Sequence, residues 1–248
     1  MAADTPAPGG TAKLAGRTVA RIGFGAMQLE HAERDAALAV LRQAARAGVN
    51  HIDTAHFYGN ANAAIRDALA PYPEELTVVT KVGAVRDGDG RLVPAQRPEE
   101  LRDQVTGNLT VLGTERVPVV NLRRLEGPPG LVAEGEQKVD LDDQLAELSA
   151  LRDAGKIGAI GLSGVSAGTL RRALPAGIAC VQNLYGVLDR SAEPVLGLCR
   201  EHGIAWVPFF PLGSGFPGRP HVTTDPAVTA IAGELGAAPA QVALAWLL

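Results

Sequence analysis

The chain has 248 residues, enough for one large domain or two small ones, and 46% of them are hydrophobic. Such an apolar composition, with 20% charged residues, argues against a disordered chain and predicts a folded protein with a sizeable core. The net charge of −4, without any block rich in Lys and Arg, gives no electrostatic attraction for nucleic acid.

The start of the chain shows no targeting signal. Residues 1–10 lack the basic and apolar regions of a signal peptide, and no apolar run reaches the roughly 18 residues of a membrane helix. We therefore interpret residues 1–15 as a flexible leader and expect no membrane partner. The two cysteines, Cys180 and Cys199, are too few for a disulfide framework or a cysteine-rich zinc site. The sequence thus favours a reduced, cytoplasmic protein.

Seven short apolar runs alternate with segments of helical spacing along the chain. The predicted strands are residues 21–27, 49–54, 76–85, 117–122, 157–163, 178–184 and 204–210. The predicted helices that follow them are residues 33–47, 61–70, 98–112, 141–154, 167–174, 194–202 and 226–248. Repeated strand–helix units predict a parallel sheet, because each crossover returns the chain to the same edge.

A parallel sheet of this kind is either doubly wound or closed into a barrel. The doubly wound form that binds nucleotides carries a Gly-rich fingerprint, and Gly23-Phe24-Gly25 lacks its third glycine. Polar residues end the predicted strands, at the face that holds the active site of a (β/α)8 barrel. We therefore predict one α/β domain over residues 1–248, of the (β/α)8 TIM-barrel type without the eighth strand and last helix. A homo-oligomeric partner or another segment would have to cover the open edge.

Lys81 stands out among four lysines and nineteen arginines because it lies in an apolar strand pattern. Burying an unpaired ammonium costs several kcal/mol, so this lysine needs a counter-charge. Asp53, at the end of the neighbouring predicted strand, is the expected partner. The alternative is a salt bridge that only closes the top of the barrel.

Tyr58 follows Asp53 by five residues. A lysine cation beside a phenol favours the phenolate, which makes the tyrosine a usable general acid for a carbonyl oxygen. The alternative for Tyr58 is an aromatic cap on the barrel rim. His56, between the two, either faces the substrate pocket or has a rim position without a role.

Seven short motifs resemble, in sequence order, those of the aldo-keto reductase family. They are residues 23–27 (GFGAM), 53–59 (DTAHFYG), 80–83 (TKVG), 160–163 (IGLS), 181–183 (VQN), 208–213 (PFFPLG) and 243–248 (ALAWLL). The resemblance implies a (β/α)8 barrel with a nicotinamide cofactor across its C-terminal face and direct hydride transfer to a carbonyl. It also implies that Tyr58 donates the proton, that Lys81 tunes it and that Asp53 holds Lys81.

The resemblance implies cofactor contacts on the later strands. Ser163 and Gln182 would bind the carboxamide, and Phe209 would stack on the nicotinamide ring. The remaining implied cofactor contacts are Met27, Asp53, Pro211, Leu212 and Ser214. Five histidines without His-x-x-x-His or His-x-His spacing predict no catalytic metal.

Two departures from the family pattern affect the function. Arg123 stands where the family commonly has a catalytic histidine, and it can donate hydrogen bonds to a carbonyl or carboxylate of the substrate. A surface arginine at the rim is the alternative. The segment that grips the 2′-phosphate in relatives is absent from this sequence. The resemblance implies NADP(H) as the cofactor, and the absence of this segment leaves NAD(H) or no cofactor open.

The leading hypothesis is an NAD(P)H-dependent reductase of a small aldehyde or ketone, with Tyr58, Lys81, Asp53 and Arg123 as its catalytic residues. One alternative is a redox-silent barrel enzyme that uses Tyr58 and Arg123 for dehydration, cyclisation or isomerisation. Another is a non-catalytic, reductase-like subunit.

Overall fold

The computed structural model describes residues 6–126, 131–213 and 221–248. Its strands are β1 (Thr11–Leu14), β2 (Arg17–Ala20), β3 (Phe24–Gly25), β4 (His51–Asp53), β5 (Thr77–Val82), β6 (Ala84–Arg86), β7 (Leu92–Pro94), β8 (Val117–Arg123), β9 (Ile157–Ser163), β10 (Ile178–Gln182) and β11 (Ala205–Trp206). Seven of them form one curled parallel sheet in the order β11-β10-β9-β8-β5-β4-β3. The predicted architecture, an incomplete (β/α)8 barrel with seven parallel strands, is confirmed.

Helices cover the outer face of this sheet. They are α1 (Arg34–Arg46), α2 (Ala61–Leu69), α3 (Pro98–Leu112), α4 (Leu141–Asp153), α5 (Ala167–Ala173), α6 (Glu193–Glu201), α7 (Pro226–Leu235) and α8 (Pro239–Leu247). Side chains alternate between the two faces of a strand. Ile52, Val78 and Val120 point outward into the main core against the helices, whereas Val79 and Val119 belong to a separate cluster inside the curled sheet.

A hairpin closes the inside of the sheet from below. Strands β1 and β2 pair antiparallel, and Leu14 (2% exposed) and Val19 (4% exposed) pack on the interior residues Val79 and Val119. The prediction of a flexible leader over residues 1–15 is therefore wrong for residues 11–14. They form a strand because the turn at residues 15–16 lets them pair with β2 and bury Leu14.

The predicted strand over residues 76–85 is interrupted at Gly83. Its φ of +113° is costly for other residues, and a Cβ there would lie 2.4 Å from the carbonyl oxygen of Arg123. The chain leaves the sheet at this point and forms the hairpin of β6 and β7, which the sequence did not indicate. The turn at Gly83 thus ends β5 beside the end of β8.

The two edges of the sheet are shorter than predicted. Strands β3 and β11 have two residues each, and a 3-10 helix (Met27–His31) directly follows β3. The predicted helix over residues 226–248 is two helices, α7 and α8, bent by 96°. Within the described ranges, no single helix has the length and apolarity to cross a membrane; only this bent pair together does so by length and composition.

Candidate active site

Lys81 and Asp53 meet inside the mouth of the curled sheet. Lys81 (2% exposed) projects from β5, and its Nζ donates to Oδ1 of Asp53 on β4 and, at 2.9 Å, to the carbonyl oxygen of Thr54. Oδ2 of Asp53 accepts a hydrogen bond of 2.7 Å from Nε2 of Gln182 on β10. The carboxylate of Asp53 on β4 is therefore bound by side chains from β5 and β10, and it in turn fixes the position of the Lys81 ammonium.

Lys81 keeps its positive charge although it is buried, because neighbouring groups favour the charged form. Burial opposes the charged ammonium, but Asp53 and Tyr58 outweigh it and hold the pKa of Lys81 above its ordinary value. The side chain is therefore a permanent cation near neutral pH.

Tyr58 lies beside this cation. Nζ of Lys81 is 5.0 Å from the centroid of the Tyr58 ring. The ring of Phe57 packs edge-on against Tyr58 at 5.2 Å, and the backbone N–H of Tyr58 donates to the carbonyl oxygen of Ala55 at 3.2 Å. The structure thus brings together the three side chains that the sequence singled out.

A buried polar network behind the site was missed in the sequence. Oγ1 of Thr54 donates to Asn62 on α2, and Oγ1 of Thr80 donates to Asn108 on α3, both at 2.8 Å. Nδ2 of Asn62 also donates to Oδ1 of Asn108 at 2.8 Å. The two asparagines, on the buried faces of their helices, were the available signal. This network fixes the strand ends that carry Asp53 and Lys81.

Arg123 ends β8, in register with Ser163 on β9. Side chains alternate between the two faces of a strand, so Arg123 lies on the same face of β8 as the interior residues Val119 and Asn121. Its side chain therefore faces the mouth. Nε of Arg123 is buried and has no hydrogen-bond partner within residues 6–126, 131–213 and 221–248. Desolvation lowers the pKa of the Arg123 guanidinium, while Tyr58 acts in the opposite direction.

Three glutamines hold the backbone around Arg123, and the sequence pattern did not reveal them. Nε2 of Gln96 donates to the carbonyl oxygens of Gly83 (2.6 Å) and Arg123 (2.8 Å). Oε1 of Gln104 accepts from the N–H of Gly83 at 2.7 Å, and Nε2 of Gln144 donates to Gln96. The ends of β5 and β8 are therefore locked relative to each other.

Ser163 and Gln182 present unpaired polar atoms on adjacent strands. They are in register, and each is 2% exposed or less. Among the described residues, Oγ of Ser163 and Oε1 of Gln182 have no hydrogen-bond partner. Buried polar atoms are normally paired, so these two are candidates for contact with a ligand. A hydroxyl that donates or accepts and an amide oxygen that accepts would fit the carboxamide of a nicotinamide.

The other predicted cofactor contacts lie around the edges of the sheet. Phe209 follows β11 and is partly buried, and its N–H donates to the carbonyl oxygen of Asn183 at 3.1 Å. Pro211 and Leu212 follow it, and Met27 begins the 3-10 helix after β3. Ser214 lies outside the described residues.

His56 lies against a helix. An added Cβ at Gly107 of α3 would be 2.8 Å from the His56 ring. Desolvation there lowers the pKa of His56. Its contact with substrate stays a prediction. Across the three described ranges, no group of three or more His, Cys, Asp or Glu side chains is placed to hold a metal ion.

Comparison with known proteins identifies the family of the chain. The model of the aldo/keto reductase family matches residues 21–248. Pyridoxine 4-dehydrogenase of Escherichia coli is 42% identical over 248 positions, which cover 96% of this chain and 84% of that protein. An uncharacterized oxidoreductase of Schizosaccharomyces pombe is 33% identical, with coverage of 96% and 76%.

Solved structures show the same fold. A putative aldo-keto reductase from Pseudomonas aeruginosa superposes with a TM-score of 0.74 at 25% identity, covering 98% of this chain and 97% of that one. The glycerol dehydrogenase of Gluconobacter oxydans superposes with a TM-score of 0.79 at 21% identity, with coverage of 100% and 83%. The chain therefore belongs to the aldo-keto reductase family, the NAD(P)-dependent oxidoreductases that act on carbonyls and alcohols.

Proposed function

We propose that this protein reduces an aldehyde or ketone with Tyr58 as general acid, assisted by Lys81 and Asp53. The observation that carries the proposal is the buried Lys81–Asp53 pair with the Tyr58 ring 5.0 Å from the ammonium. A buried ion pair is weak evidence for stability by itself, so its position beside a phenol supports a chemical role.

The residues divide the work of proton transfer. The Tyr58 hydroxyl gives its proton to the carbonyl oxygen as charge develops there. The Lys81 ammonium stabilises the phenolate that remains. Asp53 keeps that ammonium charged and aimed, since it accepts from Lys81 on one oxygen and from Gln182 on the other. When bound, a reduced nicotinamide supplies the hydride for the carbonyl carbon.

The unpaired atoms of Ser163 and Gln182 support a carboxamide contact that fixes which face of the nicotinamide is presented. Phe209 would offer a ring for stacking, and Met27, Pro211, Leu212 and Ser214 would line the rest of the dinucleotide. The cofactor that we propose is NADP(H), with NAD(H) as the alternative, and titration with NADPH and NADH compares the two directly. The E. coli relative is a pyridoxine 4-dehydrogenase. Pyridoxal is therefore the first carbonyl to assay.

Replacement of Tyr58 by phenylalanine tests the general acid. Y58F removes one hydroxyl, and we expect turnover of pyridoxal to fall about 10²- to 10⁴-fold, the usual worth of a positioned acid. The dissociation constant of NADPH, measured by its fluorescence, should change by less than about twofold. Tyr72→Phe is the matched control, because the Tyr72 hydroxyl donates to the carbonyl oxygen of Leu112 (2.7 Å), outside the site.

Two results would contradict the proposal. Turnover by Y58F within tenfold of the native protein would exclude Tyr58 as the acid. Failure of the native protein to bind either NADPH or NADH would favour the redox-silent alternative instead.

A further inference from the structure

The Arg123 guanidinium is a cation without a counter-charge among the residues that the structure describes. Within the parts of the chain that the structure describes, its side chain makes no hydrogen bond or salt bridge, and its Nε is buried without an acceptor. The neighbouring Arg124 differs, because it pairs with Glu126 at 3.0 Å and donates to the carbonyl oxygen of Val139. Of these two arginines, Arg124 is therefore paired within the protein, whereas the Arg123 side chain remains available to a ligand at the mouth.

The charges around the mouth confirm that Arg123 is in excess. Lys81 is neutralised by Asp53, and Arg86 on the rim pairs with Glu30. Of these three cations at the mouth, Arg123 is therefore the one without a counter-charge in the described part of the chain. Partly burying such a charge is unfavourable unless an anion joins it, so the missing partner belongs to a ligand.

The position of Arg123 shows which ligand atoms it reaches. Arg123 is on β8, between β5, which carries Lys81, and β9, where Ser163 is its register partner. Its side chain therefore enters the mouth between the cation beside Tyr58 and the proposed carboxamide contact, where we place the carbonyl of the substrate. Gln96 fixes the carbonyl oxygen of Arg123, so the side chain starts from a rigid strand end.

We propose that Arg123 determines specificity, and that the substrate carries a second, anionic oxygen near enough to its carbonyl oxygen for one guanidinium to span both. An ortho-hydroxyaryl aldehyde and a 2-oxo acid share this chemistry. The planar guanidinium fork and its permanent charge suit two neighbouring oxygens, which a neutral histidine ring does not match. The inference rests on the proposed function, because it places the carbonyl beside Tyr58.

Isomeric aldehydes test the inference through activity. The kcat/KM for 2-hydroxybenzaldehyde should exceed that for 3-hydroxybenzaldehyde at least about tenfold, the usual worth of one charged hydrogen bond. In R123M the ratio should fall to within about twofold of one, and in R123K, which keeps the charge but not the fork, to an intermediate value. R46M is the matched control, because Arg46 is exposed on α1 and bonds only to Gln43. It should keep the native ratio.

A second comparison identifies the source of the anionic oxygen. Glyoxylate and glycolaldehyde differ by a carboxylate in place of an alcohol next to the aldehyde. A tenfold preference for glyoxylate that R123M removes assigns a 2-oxo acid, whereas a preference confined to 2-hydroxybenzaldehyde assigns the hydroxyaryl aldehyde.

Absorbance of bound 2-hydroxybenzaldehyde gives a readout without turnover, recorded with and without NADP⁺. The phenolate absorbs at longer wavelength than the phenol, and binding beside Arg123 should raise the phenolate fraction in the native protein and R46M but not in R123M. Phenolate formation without any reduction would overturn the proposed function and keep this inference. Reduction with equal rates for the two isomers, or binding without phenolate in the native protein, would overturn the inference and keep the proposed function.

Discussion

The centre and the edges of the sheet carry different parts of the site. Strands β5 and β8, six and seven residues long, lie in the middle and hold Lys81 and Arg123. Strands β3 and β11, two residues each, form the edges and lead into Met27 and Phe209. The cations Lys81 and Arg123 thus sit on long strands with a hydrogen-bonded neighbour on each side. Met27 and Phe209, two of the predicted cofactor contacts, follow the shortest strands.

The difference follows from what each task demands. A buried ion pair or a general acid is sensitive to displacements of a fraction of an ångström, so it needs a rigid support. Ring stacking and backbone contacts tolerate more movement. The comparison predicts that substitutions at the centre cost stability and chemistry together, whereas those at the edge cost little stability.

Removal of the central lysine should have the largest effect. In K81M, Asp53 (20% exposed) loses its cation, and breaking such a pair costs about 3 kcal/mol of unfolding free energy, with turnover reduced at least about 100-fold. Urea denaturation and steady-state assays measure both. The control is Lys13→Met, since Lys13 on β1 is exposed and donates to Thr18 at 2.8 Å. It should stay within about 0.5 kcal/mol.

The double variant D53N/K81M separates charge from packing. It removes the stranded carboxylate and should recover part of the lost stability but none of the turnover. A K81M protein as stable as the native protein would contradict the proposed difference between the centre and the edges of the sheet.

One strand outward, Gly161 on β9 gives an intermediate effect. An added Cβ would lie 1.9 Å from Oδ1 of Asn121 and 2.7 Å from Sγ of Cys180. G161A should therefore lose about 1 to 3 kcal/mol through overpacking. Gly197 in the exposed part of α6 has nothing within 4 Å, so G197A should gain about 0.4 to 1 kcal/mol. Urea denaturation measures both variants, and changes in unfolding free energy of the same sign in G161A and G197A would refute this account.

The smallest effect is expected beyond the β11 edge. Leu235 at the end of α7 is 68% exposed, and L235Q should change the unfolding free energy by less than about 0.5 kcal/mol. Thermal denaturation monitored by circular dichroism measures this. A loss above 1 kcal/mol would show that this face is covered in solution, and the edge would then resemble the centre.

Sequence reasoning succeeded where burial and periodicity coincide. The seven strands each had an apolar run long enough to recognise, and Lys81 was conspicuous because a lysine among valines needs a partner. The hairpin of β1 and β2 escaped because its strands have four residues each and are fixed by pairing with one another.

Side-chain bonds to distant backbone escaped for another reason. Gln96 reaches Gly83 and Arg123, 13 and 27 residues away, and no periodic pattern records such contacts. The direction of His56 likewise depends on the empty space that Gly107 leaves on α3. These features are set by tertiary packing, which one sequence does not display.

The hairpin of β1 and β2 also limits the routes into the site. Leu14 and Val19 pack across the interior of the sheet at the end away from Lys81, so the described residues block an approach to Ser163 and Gln182 from that end. Strands β3 and β11 do not pair with each other in the described sheet. A ligand therefore reaches those two side chains from the strand-end face or through the gap between β3 and β11.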